Sequence, residues 1–211
     1  MRPIRAVFWD FGGVILDSPF DAFRRYEEEK GLPRDFIRRL NTTNPDTNAW
    51  ARFERSEVDL DAFCTLFEEE ARQAGHPLDA RAVVALLAGE IRPEMVAALR
   101  TVKAAGYKTA CLTNNVTSSR RTPEKARQVA EIMALFDAVV ESSKVGVRKP
   151  EPRFYTIACE MLGVEPDETV FLDDLGINLK PARALGMRTI KVGRPEQALA
   201  ELEEILGHAI R

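Results

Sequence analysis

The sequence predicts an α/β protein: a three-layer, doubly wound parallel sheet with a small helical cap inserted after the first strand. Three observations carry that prediction. The apolar run 4–9 stops at Asp10, with Gly12 and Gly13 just beyond, as a buried strand does where it meets a turn. Residues 18–88 then change to charged segments with helical spacing. After Pro93, strand-like and helix-like segments alternate to the end of the chain, the mark of parallel strands joined by crossover helices.

In chain order, the first strand takes residues 4–9. The cap holds helices over DAFRRYEEEK, RDFIRRL and LDAFCTLFEEEARQAG, punctuated by Gly31, Pro33, Pro45 and Pro77. This division gives the core 1–17 and 89–211, and the cap 18–88. The core continues as helix 94–106, strand 108–115, helix 123–136, strand 138–142, helix 151–163, strand 169–174, helix 179–186, strand 188–192 and helix 195–207. Ala and Leu recur at helical spacing in the last of these, a stripe that faces a core. Neither an internal repeat nor a low-complexity stretch interrupts the pattern.

With 211 residues, 45% hydrophobic and 30% charged, the chain can bury an apolar core without staples, so any metal serves chemistry rather than folding. The net charge of -3, from 33 acidic and 30 basic residues, and the isolation of pairs such as Arg38, Arg39 and Arg120, Arg121 argue against a nucleic-acid partner. No stretch approaches the roughly 18 apolar residues of a membrane span, and Asp10 with two glycines interrupts the N-terminal run where a signal peptide would stay apolar. Cys64, Cys111 and Cys159 are odd in number, far apart and without a CxxC pair. That fits a reducing cytoplasm better than a disulfide framework or a zinc site. His76 and His208 are the only histidines, too few for a histidine metal cluster.

In a doubly wound sheet the C-terminal strand ends open onto a crevice, so polar residues there are the informative ones. Four strand ends or nearby loops carry them: Asp10, then Thr113 with Asn114, then Lys149 in GVRKPEP, then Asp173 with Asp174. Three carboxylates, a hydroxyl and a lysine, without histidine, point to oxygen ligands for a hard cation such as Mg²⁺ and to an anionic substrate. A small phosphorylated metabolite is the expected partner, attacked by a carboxylate in two steps.

The strand-end Asp10, LTNN, RKPEP and FLDD, in this order, resemble the four motifs of the haloacid dehalogenase superfamily, whose core is Rossmann-like. Of its subfamilies the chain resembles IA. The stretches FLDDLGINLKPARALGMRTIKV and ALFDAVVESSKVGVRKPEPRFY are most similar to the N-terminal phosphatase domain of soluble epoxide hydrolase and its bacterial single-domain relatives. The resemblance implies a magnesium-dependent phosphohydrolase with Asp10 as nucleophile, Thr113 and Asn114 on the phosphoryl oxygens, and Lys149 tying nucleophile and phosphate together. Asp10, Asp174 and the backbone carbonyl of Gly12 would hold the metal, with Asp173 in its outer shell or orienting Lys149. The helical insert would be a cap over the crevice.

One position departs from the family's pattern. Its phosphatases carry a second Asp two residues after the nucleophile, the general acid for the leaving oxygen, and here that position is Gly12. Two alternatives follow: a 2-haloacid dehalogenase, which expels a halide that needs no proton, or a low-activity member that mainly binds. Asp17 could stand in as an acid, against the plainer reading of a helix-initiating residue. Trp50, Phe53, Phe63 and Phe67, at helical spacing, read as packing for a helix pair. Arg120, Arg121 and Arg127 read as a solvated helix face.

Overall fold

The computed structural model describes residues 2–115 and 122–210. A wholly parallel sheet contains β1 (Ala6–Trp9), β2 (Lys108–Thr113), β3 (Ala138–Glu141), β4 (Thr169–Asp173) and β5 (Arg188–Lys191), in the spatial order β3-β2-β1-β4-β5. The helices are α1 (Phe20–Lys30), α2 (Phe36–Thr42), α3 (Ala49–Glu54), α4 (Leu60–Gln73), α5 (Ala80–Ala85), α6 (Pro93–Ala104), α7 (Pro123–Met133), α8 (Ser142–Val145), α9 (Pro152–Leu162), α10 (Gly176–Ala184) and α11 (Pro195–Leu206).

β1 reads as an unbroken apolar run because it is covered on both faces. Phe8 sits in register with Ala110 of β2 on one side and Phe171 of β4 on the other. Alternation along the strands sorts the core into two layers. Val7 and Trp9 join Cys111, Val170, Leu172 and Ile190 against α6, α7 and α11. Ala6 and Phe8 join Ala110, Leu112 and Phe171 against α9 and α10. The chain lays β2 and β3 on one side of β1 and β4 and β5 on the other. That reversal opens a crevice beyond the C-terminal ends of β1 and β4.

Some element bounds differ from the sequence pattern. Arg5 precedes the first strand, though its N–H donates to Glu168 (2.8 Å) and its carbonyl accepts from Lys108 (3.0 Å). The helix expected at 179–186 starts at Gly176, because the Leu175 N–H donates to the Asp173 carboxylate (2.8 Å) and turns the chain directly after β4. α7 ends at Met133, where the N–H groups of Leu135 and Phe136 switch to carbonyls three residues back.

Helices α1 to α5 surround an apolar cluster of their own, separate from both layers of the sheet. Phe63 stacks on Phe53 and Phe67, with ring centroids 4.4 and 5.3 Å apart, and Trp50 meets both Phe63 and Phe67 edge-on or tilted. These four aromatics are the packing centre of α3 and α4, as their spacing predicts. Asn48 and Asp59 cap the two helices by accepting from Ala51 (2.8 Å) and Ala62 (2.9 Å). The chain enters and leaves this helical insert side by side: Leu16 and Ile91 form an antiparallel bridge, and the Asp17 N–H donates to the Glu90 carbonyl (2.8 Å). Among the described residues no helix is long and apolar enough to cross a membrane.

Candidate active site

The ladder of β1 ends as the Asp10 N–H donates to the Leu172 carbonyl (2.9 Å), which puts Asp10 at the mouth of the crevice beside β4. Phe11–Ile15 then make a wide turn, closed by Leu16 N–H to the Phe11 carbonyl (2.8 Å). The turn carries Gly13 against Asp174. A Cβ at Gly13 would lie 2.3 Å from the Asp174 carboxyl carbon, and the residue holds φ +77°, so its backbone favours glycine and its surroundings admit no side chain. Arg92 fixes this approach by donating to the Gly13 carbonyl (2.8 Å). Gly12 differs: its φ is -72°, and a Cβ there meets nothing within 4 Å.

Lys149 is 1% exposed. Its Nζ lies 2.7 Å from Asp10 Oδ1 and 2.8 Å from Asp173 Oδ2. Burial opposes its charge, but the two carboxylates outweigh that and hold the ammonium above the ordinary lysine value. Both oxygens of Asp173 are engaged within the protein. Oδ1 accepts from the Leu175 N–H (2.8 Å) and from Asn178 (3.1 Å), and Oδ2 accepts from Asn178 (3.0 Å) as well as from Lys149. Asp174 accepts from the Ser18 hydroxyl (3.1 Å).

Asp10, Asp173 and Asp174 each offer an oxygen within 4.8 Å of the others. Burial lifts the Asp10 carboxyl well above the usual carboxylate range; Lys149 pulls it back, while Asp173 and Asp174 push it further up. Asp174 is pushed up to about 6 by burial and then by Asp173, against Lys149 and the Ser18 hydroxyl. Three carboxylates thus share one ammonium in a buried place, and the surplus of negative charge suits a cation.

Thr113 ends β2 nearly buried, and among the described residues no hydrogen bond reaches its hydroxyl. The side-chain amide of Asn114 is committed at both ends inside the protein, which leaves only its main chain for a phosphoryl oxygen. Its Oδ1 accepts from the Lys149 N–H (2.8 Å), and its Nδ2 donates to the Lys149 carbonyl (2.9 Å) and to Glu54 (3.1 Å). Asp17 initiates no helix: the residue before α1 is Pro19, without a side-chain cap. Its carboxylate instead accepts from the Glu90 N–H (2.7 Å) where the chain leaves the helical insert. Arg127 lies on a solvated face beside Glu131, and Arg120 and Arg121 fall outside the described residues.

Ser18, Asn178, Arg92, Glu54 and Arg148 escaped the sequence reading. Only Ser18, next to Asp17 and just after the first motif, carried a positional hint.

The profile of haloacid dehalogenase-like hydrolases matches residues 4–186. Bifunctional epoxide hydrolase 2 of Sus scrofa is 34% identical over 97% of this chain and 39% of its own length. The chain spans only 19 to 39% of the mammalian relatives first matched. (S)-2-haloacid dehalogenase 1 of Pseudomonas sp. strain CBS-3 is 31% identical over 92% of this chain and 86% of its own length. Among solved structures, a Bacteroides thetaiotaomicron enzyme of the same fold, determined with magnesium and inorganic phosphate, superposes with a TM-score of 0.57 at 20% identity, covering 90% of this chain and 96% of that one. With its profile matched from β1 through α10 and relatives on both sides of the family's chemistry, the chain belongs to the haloacid dehalogenase-like hydrolases.

Proposed function

We propose that this hydrolase is a magnesium-dependent phosphohydrolase that cleaves a small phosphate monoester through an aspartyl phosphate on Asp10. The observation that carries the reading is the charge surplus: Asp10, Asp173 and Asp174 converge within 4.8 Å around one lysine. An all-oxygen donor set of this charge fits Mg²⁺, and the missing side chain of Gly13 lets Asp174 come close. Because protein donors already occupy Asp173, Asp10, Asp174 and the Gly12 carbonyl would hold the ion, with Asp173 behind them. When bound, the cation supplies the positive charge that offsets repulsion between an anionic nucleophile and an anionic phosphoryl group.

Asp10 attacks phosphorus, the bond from phosphorus to the leaving oxygen breaks, and water then cleaves the acyl phosphate to free Asp10 and inorganic phosphate. Lys149 holds the Asp10 carboxylate in place and sets positive charge where negative charge develops. Thr113 offers its hydroxyl to a phosphoryl oxygen, and the helices of residues 20–85 close over the crevice as a cap. The three free, buried thiols suit a reducing cytoplasm. Gly12 provides no acid, and a positioned acid is worth about 10² to 10⁴ in rate, so aryl and acyl phosphates should be far better substrates than alkyl phosphates.

Phosphate release from aryl, acyl, sugar and nucleotide phosphates, with magnesium or with chelator, tests this directly. Magnesium-dependent turnover that Asp10→Asn abolishes is the expected result; no release from any ester would refute the reading. Gly12 favours one rival, a 2-haloacid dehalogenase like the Pseudomonas relative, since a departing halide needs no proton. Halide release that survives chelation would establish that activity instead.

A further inference from the structure

We propose that Glu54, at the end of α3 in the cap, is a positioning residue for Lys149 and acts through Asn114. This rests on Lys149 working upon Asp10, as in the function proposed above. Glu54 is a carboxylate buried where the cap meets the core. Its Oε2 accepts from Asn114 Nδ2 (3.1 Å) and Arg148 Nε (2.5 Å), and its Oε1 accepts from the indole N–H of Trp50 (3.0 Å). Both core partners border Lys149: Arg148 precedes it in the chain, and Asn114 grips its main chain at the N–H and at the carbonyl.

The Asn114 amide has two hydrogens, and the structure uses one on the Lys149 carbonyl and the other on Glu54. Glu54 therefore fixes the plane of the amide that holds Lys149. The main chain so held delivers Nζ between Asp10 and Asp173, at 2.7 and 2.8 Å. Arg148 adds a second tie by donating to the Pro45 carbonyl in the cap (2.9 Å). Among the described residues, every side-chain hydrogen bond and ion pair between residues 20–85 and the rest of the chain lands on Asn114, Arg148 or Glu151. The polar docking of the cap thus converges on the loop that carries Lys149 and on Asn114, which grips that loop, and seating the cap and seating the lysine become one event.

The test reads Lys149 itself and turnover together, by NMR hydrogen exchange of its ammonium and by steady-state hydrolysis of an aryl phosphate. Glu54→Ala should speed the exchange about ten-fold or more and lower kcat about ten-fold while KM stays within about two-fold. Glu54→Gln keeps an oxygen that can accept from Asn114, so it should remain nearer to wild type in both. The double variant with Asn114→Ala should be no worse than Asn114→Ala alone, because the two residues act in series. If Glu54→Ala fails to fold, Glu54→Met with Arg148→Met removes both charges together, leaves neither unpaired, and should give the same two changes. Wild-type exchange and kcat in a folded variant lacking Glu54, or full additivity with Asn114→Ala, would overturn the proposal. If the wild type releases no phosphate at all, the phosphohydrolase reading falls, and the exchange rates alone decide the role of Glu54.

Discussion

A Cβ at residue 13 has nowhere to go, whereas one at residue 12 meets nothing within 4 Å. Gly13→Ala sets a methyl group against the Asp174 carboxyl and strains a backbone at φ +77°. It should cost about 1 to 3 kcal/mol of stability and weaken magnesium binding at least about ten-fold, as calorimetric titration would read. At Gly12→Asp the new Cβ meets nothing within 4 Å, and the substitution supplies a carboxyl two residues after the proposed nucleophile Asp10. It should raise kcat on alkyl phosphates by about 10² or more and leave aryl phosphates nearly unchanged; an equal effect on both would show that protonation of the leaving group is not what the native site lacks. Asp10, Asp173 and Asp174 could be found from the sequence because each sits at the end of a strand whose apolar run announces it, whereas Lys149, beyond α8, was marked only by RKPEP following LTNN and preceding FLDD. Ser18 and Glu54 could not, since what defines them is a partner 156 positions away for Ser18, at Asp174, and 94 positions away for Glu54, at Arg148. The same distance explains Asn114: a strand-end position shows where a side chain stands, not that Lys149, 35 positions on, occupies both ends of its amide.

Among the elements, the two chain segments that run into and out of the helical insert, joined by the isolated Leu16–Ile91 bridge, are held by few bonds, and Asp17 supplies one through its side chain. Asp17→Asn retains an oxygen for the Glu90 N–H and should leave kinetics unchanged. Asp17→Ala removes it and should alter kcat and KM together, as hinge substitutions do, while the pH profile keeps its shape; loss of one limb of that profile would make Asp17 an acid after all. The central strands were readable because burial on both faces leaves an unbroken apolar signature. α3 and α5, with six residues each, are too short for a helical period to stand out, and their existence depends on the cap cluster and on the Asn48 and Asp79 caps. α8, with four residues, follows from the turn after β3 rather than from any periodicity.

For the whole molecule, the buried carboxylates should make stability depend on pH and, on the function proposed above, on magnesium. Asp174, with its pKa pushed up from 3.8 to about 6, favours the metal-free fold only while protonated. That contribution is complete below its unfolded value and is lost as pH rises through about 6; Asp10, raised in the same direction, adds to the trend. Magnesium competes with these protons, so its stabilising effect should grow across the same interval. At about a hundred times its Kd it contributes about 2.7 kcal/mol, or roughly 5 to 10 °C in Tm for a chain of this size. Thermal melts with magnesium or chelator should therefore separate widely at about pH 7.5 and little at about pH 5; an equal separation at both would place the cation elsewhere.

Where the chain crosses into and out of the helical insert, Asp17 and Glu90, 73 positions apart, lie hydrogen-bonded to each other. To the sheet, everything between them is a single loop with its ends already joined. The entropy of closing such a loop rises only with the logarithm of its length, about 0.6 kcal/mol for each doubling. Helices can then be lengthened, trimmed or exchanged inside the insert at small cost to strand pairing, so the insert is free to diverge while the strand ends stay fixed.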